Sequence, residues 1–228
     1  MDGARPSPNI WGHPETYETE NRAFDRDGLV WSAINELADW ADRDVLDIGC
    51  GTGFHLPYFE RDALSVTGVE PHQDLAAIAR RRVRRLEKVR VLDGLADALP
   101  LEDSSVDFAH ARWAYFFGPG CEPGLAEIER VMRPGGTAVI LDNDPTRSTF
   151  GGWFRDGFPE VDPAVVEAFW DSQGWSRTRV LTAWDFDWRD DLDDVVRIEL
   201  PPEAAEHALS GHSGVHVDYA VNLWHRRF

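Results

Sequence analysis

Residues 45–54 read Val-Leu-Asp-Ile-Gly-Cys-Gly-Thr-Gly-Phe. Val45, Leu46 and Ile48 are branched and apolar, the composition of a central strand buried on both faces of a parallel sheet. Three alternating glycines follow, Gly49, Gly51 and Gly53. A glycine carries no Cβ and tolerates positive φ, so the chain can turn sharply there and lay its backbone against a ligand. Phe54 to Glu60 can then begin a helix whose free N–H groups point back at the loop.

Two nucleotide-binding patterns use such a turn. A dinucleotide fingerprint requires Gly-x-Gly-x-x-Gly, the last glycine allowing close packing of helix and strand. The sixth position here is Phe54, which disfavours a nicotinamide oxidoreductase. Asp47 instead stands two residues before the first glycine, giving Asp-x-Gly-x-Gly-x-Gly. Farther on, Val66 to Glu70 reads as a short strand ended by Pro71. Glu70 follows Gly51 by about the interval at which an acid binds a ribose diol in nucleotide-binding βαβ units. Two vicinal hydroxyls can both donate to one carboxylate, and a charged acceptor makes the stronger bonds. Leu99-Pro100, an Asp-x-Ser at Asp103 to Ser105, and a strand after Asp107 come next. The run Glu127-x-x-Arg130-Val131-x-Arg133-Pro134-Gly135-Gly136 then precedes a strand at Thr137 to Leu141.

Taken in this order, the stretch from about residue 40 to 142 resembles the class I S-adenosylmethionine-dependent methyltransferases, of the type 11-like, small-molecule kind. The resemblance implies a doubly wound, Rossmann-like α/β fold. Its seven-stranded, mostly parallel sheet has one antiparallel strand near the C-terminus. It implies S-adenosyl-L-methionine as cofactor, with the loop of Gly49, Cys50, Gly51 and Gly53 around the methionine part and Asp47 and Gly49 beside its amino group. Glu70 falls at the ribose, with Pro71 and His72 near the adenine. The position that is usually acidic at the adenine edge is Leu95 here. The backbone N–H of Ala96 can still serve, with Asp97 or Asp93 as acceptor for the exocyclic amine. Arg112 and Trp113 follow the fourth strand, Phe108 to Ala111, where ligands bind beyond strand ends.

The remaining sequence bounds this reading. The 228 residues suffice for one domain. The expected division is a helical cap over 1–41, a cofactor-binding core over 42–145, a lid-like insertion over 146–178, and closing strands and helices over 179–228. Residues 1–14 read as a loose tail without an apolar leader, and no apolar run approaches the roughly 20 residues that span a bilayer. A net charge of −18 repels phosphate backbones and anionic membranes, so neither nucleic acid nor membrane is an expected partner. Two cysteines, Cys50 and Cys121, point to a reducing cytoplasm rather than a disulfide framework. The arginines between Arg80 and Arg85 read as the solvated face of a helix. Tyr17 and Arg22 on the N-terminal helices either face the cofactor or lie on the surface. His207, His212 and His216 straddle a glycine-containing loop and lack the pattern of a closed zinc site, so no metal is expected.

The expected activity is in-line methyl transfer to a small-molecule acceptor. The alternative is a cofactor-binding protein of this fold without transfer. Should the acceptor need a proton removed, His110 and Asp142 are the candidate bases by position. Asp142-Asn143-Asp144-Pro145 can orient a nucleophile, hold a metal or cap the next helix. Trp113, Trp153 and Phe154 suggest an aromatic or otherwise apolar acceptor.

Overall fold

The computed structural model describes residues 6–115 and 118–228. Phe116 and Phe117, which end the aromatic run after the fourth strand, lie outside the described residues. The chain runs α1 (Pro8–Gly12), α2 (Pro14–Ala23), α3 (Leu29–Leu37), β1 (Asp44–Ile48), α4 (Leu56–Glu60), β2 (Ser65–Glu70), α5 (Gln73–Val83), β3 (Val89–Asp93) and β4 (Val106–Arg112). It continues through α6 (Glu122–Val131), β5 (Met132–Asn143), α7 (Thr149–Gly157), α8 (Pro163–Ser172), β6 (Ser176–Asp185), α9 (Arg189–Glu199), α10 (Pro202–Gly211) and β7 (His216–Arg227).

The seven strands form one sheet in the order β3-β2-β1-β4-β5-β7-β6. β1 through β5 pair in parallel, while β7 is antiparallel to both of its neighbours. This is the expected seven-stranded sheet with its single reversed strand. Strand alternation sends Val45, Val66 and Phe108 into one core, which also takes side chains of α3, α4, α5, α7, α9 and α10. Leu46, Ala109 and Ile140 point into a second core under α6 and α8. Burial on both faces explains why β1 reads as a nearly continuous apolar run.

Two segments differ from the sequence reading. Residues 6–14 are not a loose tail: Pro8 and Pro14 open α1 and α2. Proline at a first helical position is preset in φ and loses only an N–H that is orphaned there anyway. Residues 146–178 place α7 against β7 and α8 in the second core, where Trp170 stacks on Trp224 at 5.4 Å. Ser148 caps α7, accepting from Gly151 N–H. Asp144 instead holds a turn through the N–H and hydroxyl of Thr146. Among the described residues, no helix is long and apolar enough to cross a membrane.

The Glu127/Arg130/Arg133 run has a mechanical role. The Glu127 carboxylate accepts from Leu99 N–H at 2.7 Å and from Arg130. Arg130 in turn donates to the carbonyls of Leu99 and Leu101. Arg133 bridges Asp44 and Asp107 at the starts of β1 and β4. Together these groups clamp the loop after β3 against the sheet.

Trp184 is fully buried with its ring edge-on to Phe150 and Tyr219, which stack on each other. Trp184→Ala should cost about 3–5 kcal/mol of stability, read as a lower urea midpoint at an unchanged m value.

Candidate active site

One cavity of about 230 Å³ opens at the C-terminal ends of β1, β2 and β4. Parallel pairing creates it. Ile48 lies opposite Val69 on one side and Ala111 on the other, so the three strand ends stop at one level. The chain after β1 turns at once. Gly49 and Cys50 both donate N–H to the carbonyl of Val69, at 2.8 and 3.1 Å. Gly51, at φ +55°, donates to Glu70 Oε2 at 2.9 Å. Glu70 Oε1 accepts from His72 N–H at 2.8 Å. Burial raises the Glu70 pKa against these two bonds, which lower it.

Of the residues expected at the cofactor, Asp47, Gly49, Cys50, Gly51, Glu70, Pro71, Ala96, Asp97, Arg112 and Trp113 all line this cavity. Gly53 does not. A Cβ there would stand 3.0 Å from the Ala79 Cβ, so this glycine serves the packing of α5 behind the loop. Of the two acids offered for the adenine amine, Asp97 lines the cavity, while Asp93 pairs with Arg80 at 2.9 Å. Leu95 lines it as well, its carbonyl accepting from Ala98 N–H.

The two candidate bases lie elsewhere. His110 is opposite Asp47 in the β1/β4 register, and its Nδ1 contacts the Asp47 carboxylate at 2.8 Å. Its ring is sealed by Trp31 and Phe59. Asp142 is buried and accepts from Asn143 N–H. Neither side chain lines the cavity, so a base role for them has no support in this geometry. Trp113 lines it, with its indole N–H on Asn143 Oδ1 at 2.7 Å. Trp153 and Phe154 pack instead against His212 and Phe158.

The cover comes from the N-terminus. Ser7, Ile10 and Trp11 of the α1 region and Tyr17 and Asn21 of α2 line the cavity, whereas no residue of 146–178 does. Ile10 Cδ1 would lie 2.7 Å from a Cβ on Gly51, and Trp11 sits 4.7 Å from the His72 ring. Glu18 ties this cover to Thr52 and to Arg82. Tyr17 therefore faces the site, while Arg22 is exposed beside Glu18 and Thr19. Sequence reasoning missed Ile10, Trp11 and His55. The apolar pair Ile10-Trp11 after Pro8 was the available signal.

His55 and Arg112 form the far wall, Arg112 Nη1 lying 3.0 Å from His55 Nε2. Burial first, and then the neighbouring guanidinium, hold the His55 pKa well below its ordinary value.

The sheet order, the glycine turn after β1 and the acid at the end of β2 agree with the methyltransferase resemblance of the sequence. Residues 46–140 match a family model described as a methyltransferase domain. The chain is 34% identical over 126 residues to an uncharacterized methyltransferase of Mycobacterium bovis, covering 54% of this chain and 49% of that one. To a demethylmenaquinone methyltransferase of Staphylococcus aureus it is 29% identical over 129 residues, covering 55% and 54%. The chain spans only 30% to 54% of the length of the curated relatives it matches. The YcgJ protein of Bacillus subtilis shares the fold with a TM-score of 0.63 at 17% identity, covering 86% of this chain and 96% of that one.

A histidine whose folded pKa is depressed takes up its proton later than in the unfolded chain. Its contribution to stability is intact above pH 6.5 and is lost as the pH falls through the folded value. His55→Gln, which keeps an acceptor for Arg112, should therefore lose less stability than wild type between about pH 7 and pH 5.5. Urea midpoints at the two pH values measure this.

Proposed function

We propose that the protein transfers a methyl group from S-adenosylmethionine to a small-molecule acceptor inside this cavity. The observation that supports the reading most is the convergence of Asp47, the Gly49–Gly51 turn, Glu70 and Asp97 on one space. The donor set suits this cofactor. Glu70 offers a charged acceptor for a diol, the turn presents backbone without side chains, and Asp97 offers an acceptor for an exocyclic amine. The Gly49 and Gly51 positions form a cradle. A Cβ at either would meet Ala114 or Ile10 within 2.8 Å.

The cofactor supplies a carbon already activated by its sulfonium, and the protein supplies binding and orientation. Holding the reacting atoms in line can contribute roughly 7–11 kcal/mol. Asp47 and the turn fix the amino-acid end, Glu70 the sugar, and the clamped loop after β3 the base. Ile10, Trp11 and Trp113 exclude water from the space between. A small acceptor fits the cavity's enclosure by α1 and α2, and the net charge of −18 opposes a polyanionic one. The name of the Staphylococcus aureus relative agrees with a small organic acceptor.

Calorimetric titration with S-adenosylmethionine and S-adenosylhomocysteine tests the reading. Wild type should bind both in the micromolar range. Gly51→Val puts a β-branched residue at positive φ and pushes into Ile10, so it should weaken both by about 100-fold, equivalent to about 2.8 kcal/mol. Failure of the wild-type protein to bind either, with binding of NADH instead, would overturn the assignment.

A further inference from the structure

The Arg112 side chain lies between the rings of Phe24 and Trp113, its guanidinium carbon 4.4 and 4.3 Å from their centroids. Nη1 is engaged with His55. Nε and Nη2, by contrast, are shielded from solvent and have no hydrogen-bond partner. These two nitrogens share one edge of the guanidinium plane, where two parallel N–H groups match the two oxygens of a carboxylate. An unpaired buried cation is costly and is usually matched by an anion. The carboxyls whose fields reach Arg112 are Glu20 on α2 and Asp25 just after it, yet no ion pair joins either to Arg112 among the described residues. Burial, and then Glu199, raise the Glu20 pKa, while Arg112 lowers it.

We propose that Arg112 is a bidentate anchor for a carboxylate bound in this cavity, resting on the methyltransferase reading above. The ligand meets the fork when α2, which brings Tyr17 and Asn21 to the same wall, gives way on loading. The carboxylate belongs either to the amino-acid end of the cofactor or to the acceptor.

Arg112→Met, which keeps length and apolar bulk, and Arg112→Lys, which keeps charge without the fork, separate the cases. Two cofactor-like probes are titrated: S-adenosylhomocysteine, and 5′-methylthioadenosine, which lacks the amino-acid carboxylate. In a second arm, benzoate and indole-3-acetate compete against their carboxamides on protein saturated with S-adenosylhomocysteine. If the carboxylate is the cofactor's, Arg112→Met weakens S-adenosylhomocysteine by about 30-fold or more, about 2 kcal/mol, and leaves 5′-methylthioadenosine unchanged. If it is the acceptor's, both nucleosides bind normally, wild type prefers acids over amides by about 10-fold or more, and the variant loses that preference. In either case Arg112→Lys recovers only part of the effect. Without ligand, Arg112→Met should melt no lower than wild type, because it removes an unmatched charge. A lower melting temperature together with equal losses for all probes would show a merely structural arginine and overturn the proposal. Normal nucleoside binding with no acid preference in wild type would overturn it too. Failure of wild type to bind either nucleoside would sink the cofactor reading first, a distinct result.

Discussion

The carbonyl of Val69 accepts two N–H groups, those of Gly49 and Cys50, and the rest of the site depends on this fork. It fastens the end of β1 to the end of β2 just where β1 stops pairing. The chain then has no path but the tight turn through Gly51, whose N–H reaches Glu70. Close approach of the two strand ends also needs Gly68, where a Cβ would stand 2.8 Å from Cys50 Sγ. An acid, a turn without side chains and a buried strand end are thereby held in one geometry before any ligand arrives. Such preorganisation lowers the cost of binding.

The residues that carry the family resemblance divide into two physical jobs. Asp47, Gly49, Gly51 and Glu70 face the cavity. Glu127, Arg130 and Arg133 face away from it and work as a bracket for the loop after β3 and for the starts of β1 and β4. Single exposed ion pairs contribute little to stability, but a network that also binds backbone carbonyls fixes position. The loop bearing Ala96 and Asp97 is held both by this bracket and by Leu99, which is buried in the second core.

A cluster of buried polar groups lies beneath the N-terminal cover. Burial pushes the Tyr17 hydroxyl and the Glu20 and Glu199 carboxyls up, while Asn9 donates to Glu199 at 2.6 Å. α1, α2 and α9 thus meet through hydrogen bonds rather than through apolar packing alone. Polar contacts of this kind specify one seating of the cover but contribute modest net stability, which suits an element that must admit a ligand.

The strand-turn motif, the Leu-Pro stretch and the glycine stop before β5 are local patterns; they marked strands and helices directly, and the family they resemble implied the sheet and ten residues of the cavity wall. Apolar alternation and glycine spacing carry that information because each depends only on neighbours in the chain. The sequence reading offered both an N-terminal cap and a later lid; the tertiary structure alone decided that Ser7 to Asn21 of that cap line the site while 146–178 do not, and that the His110 and Asp142 side chains do not line the cavity. Proximity across 63 residues, as between Asp47 and His110, follows from strand order and register. Those are settled only when the whole sheet assembles, because which face a strand residue takes depends on the partners packed on either side of it.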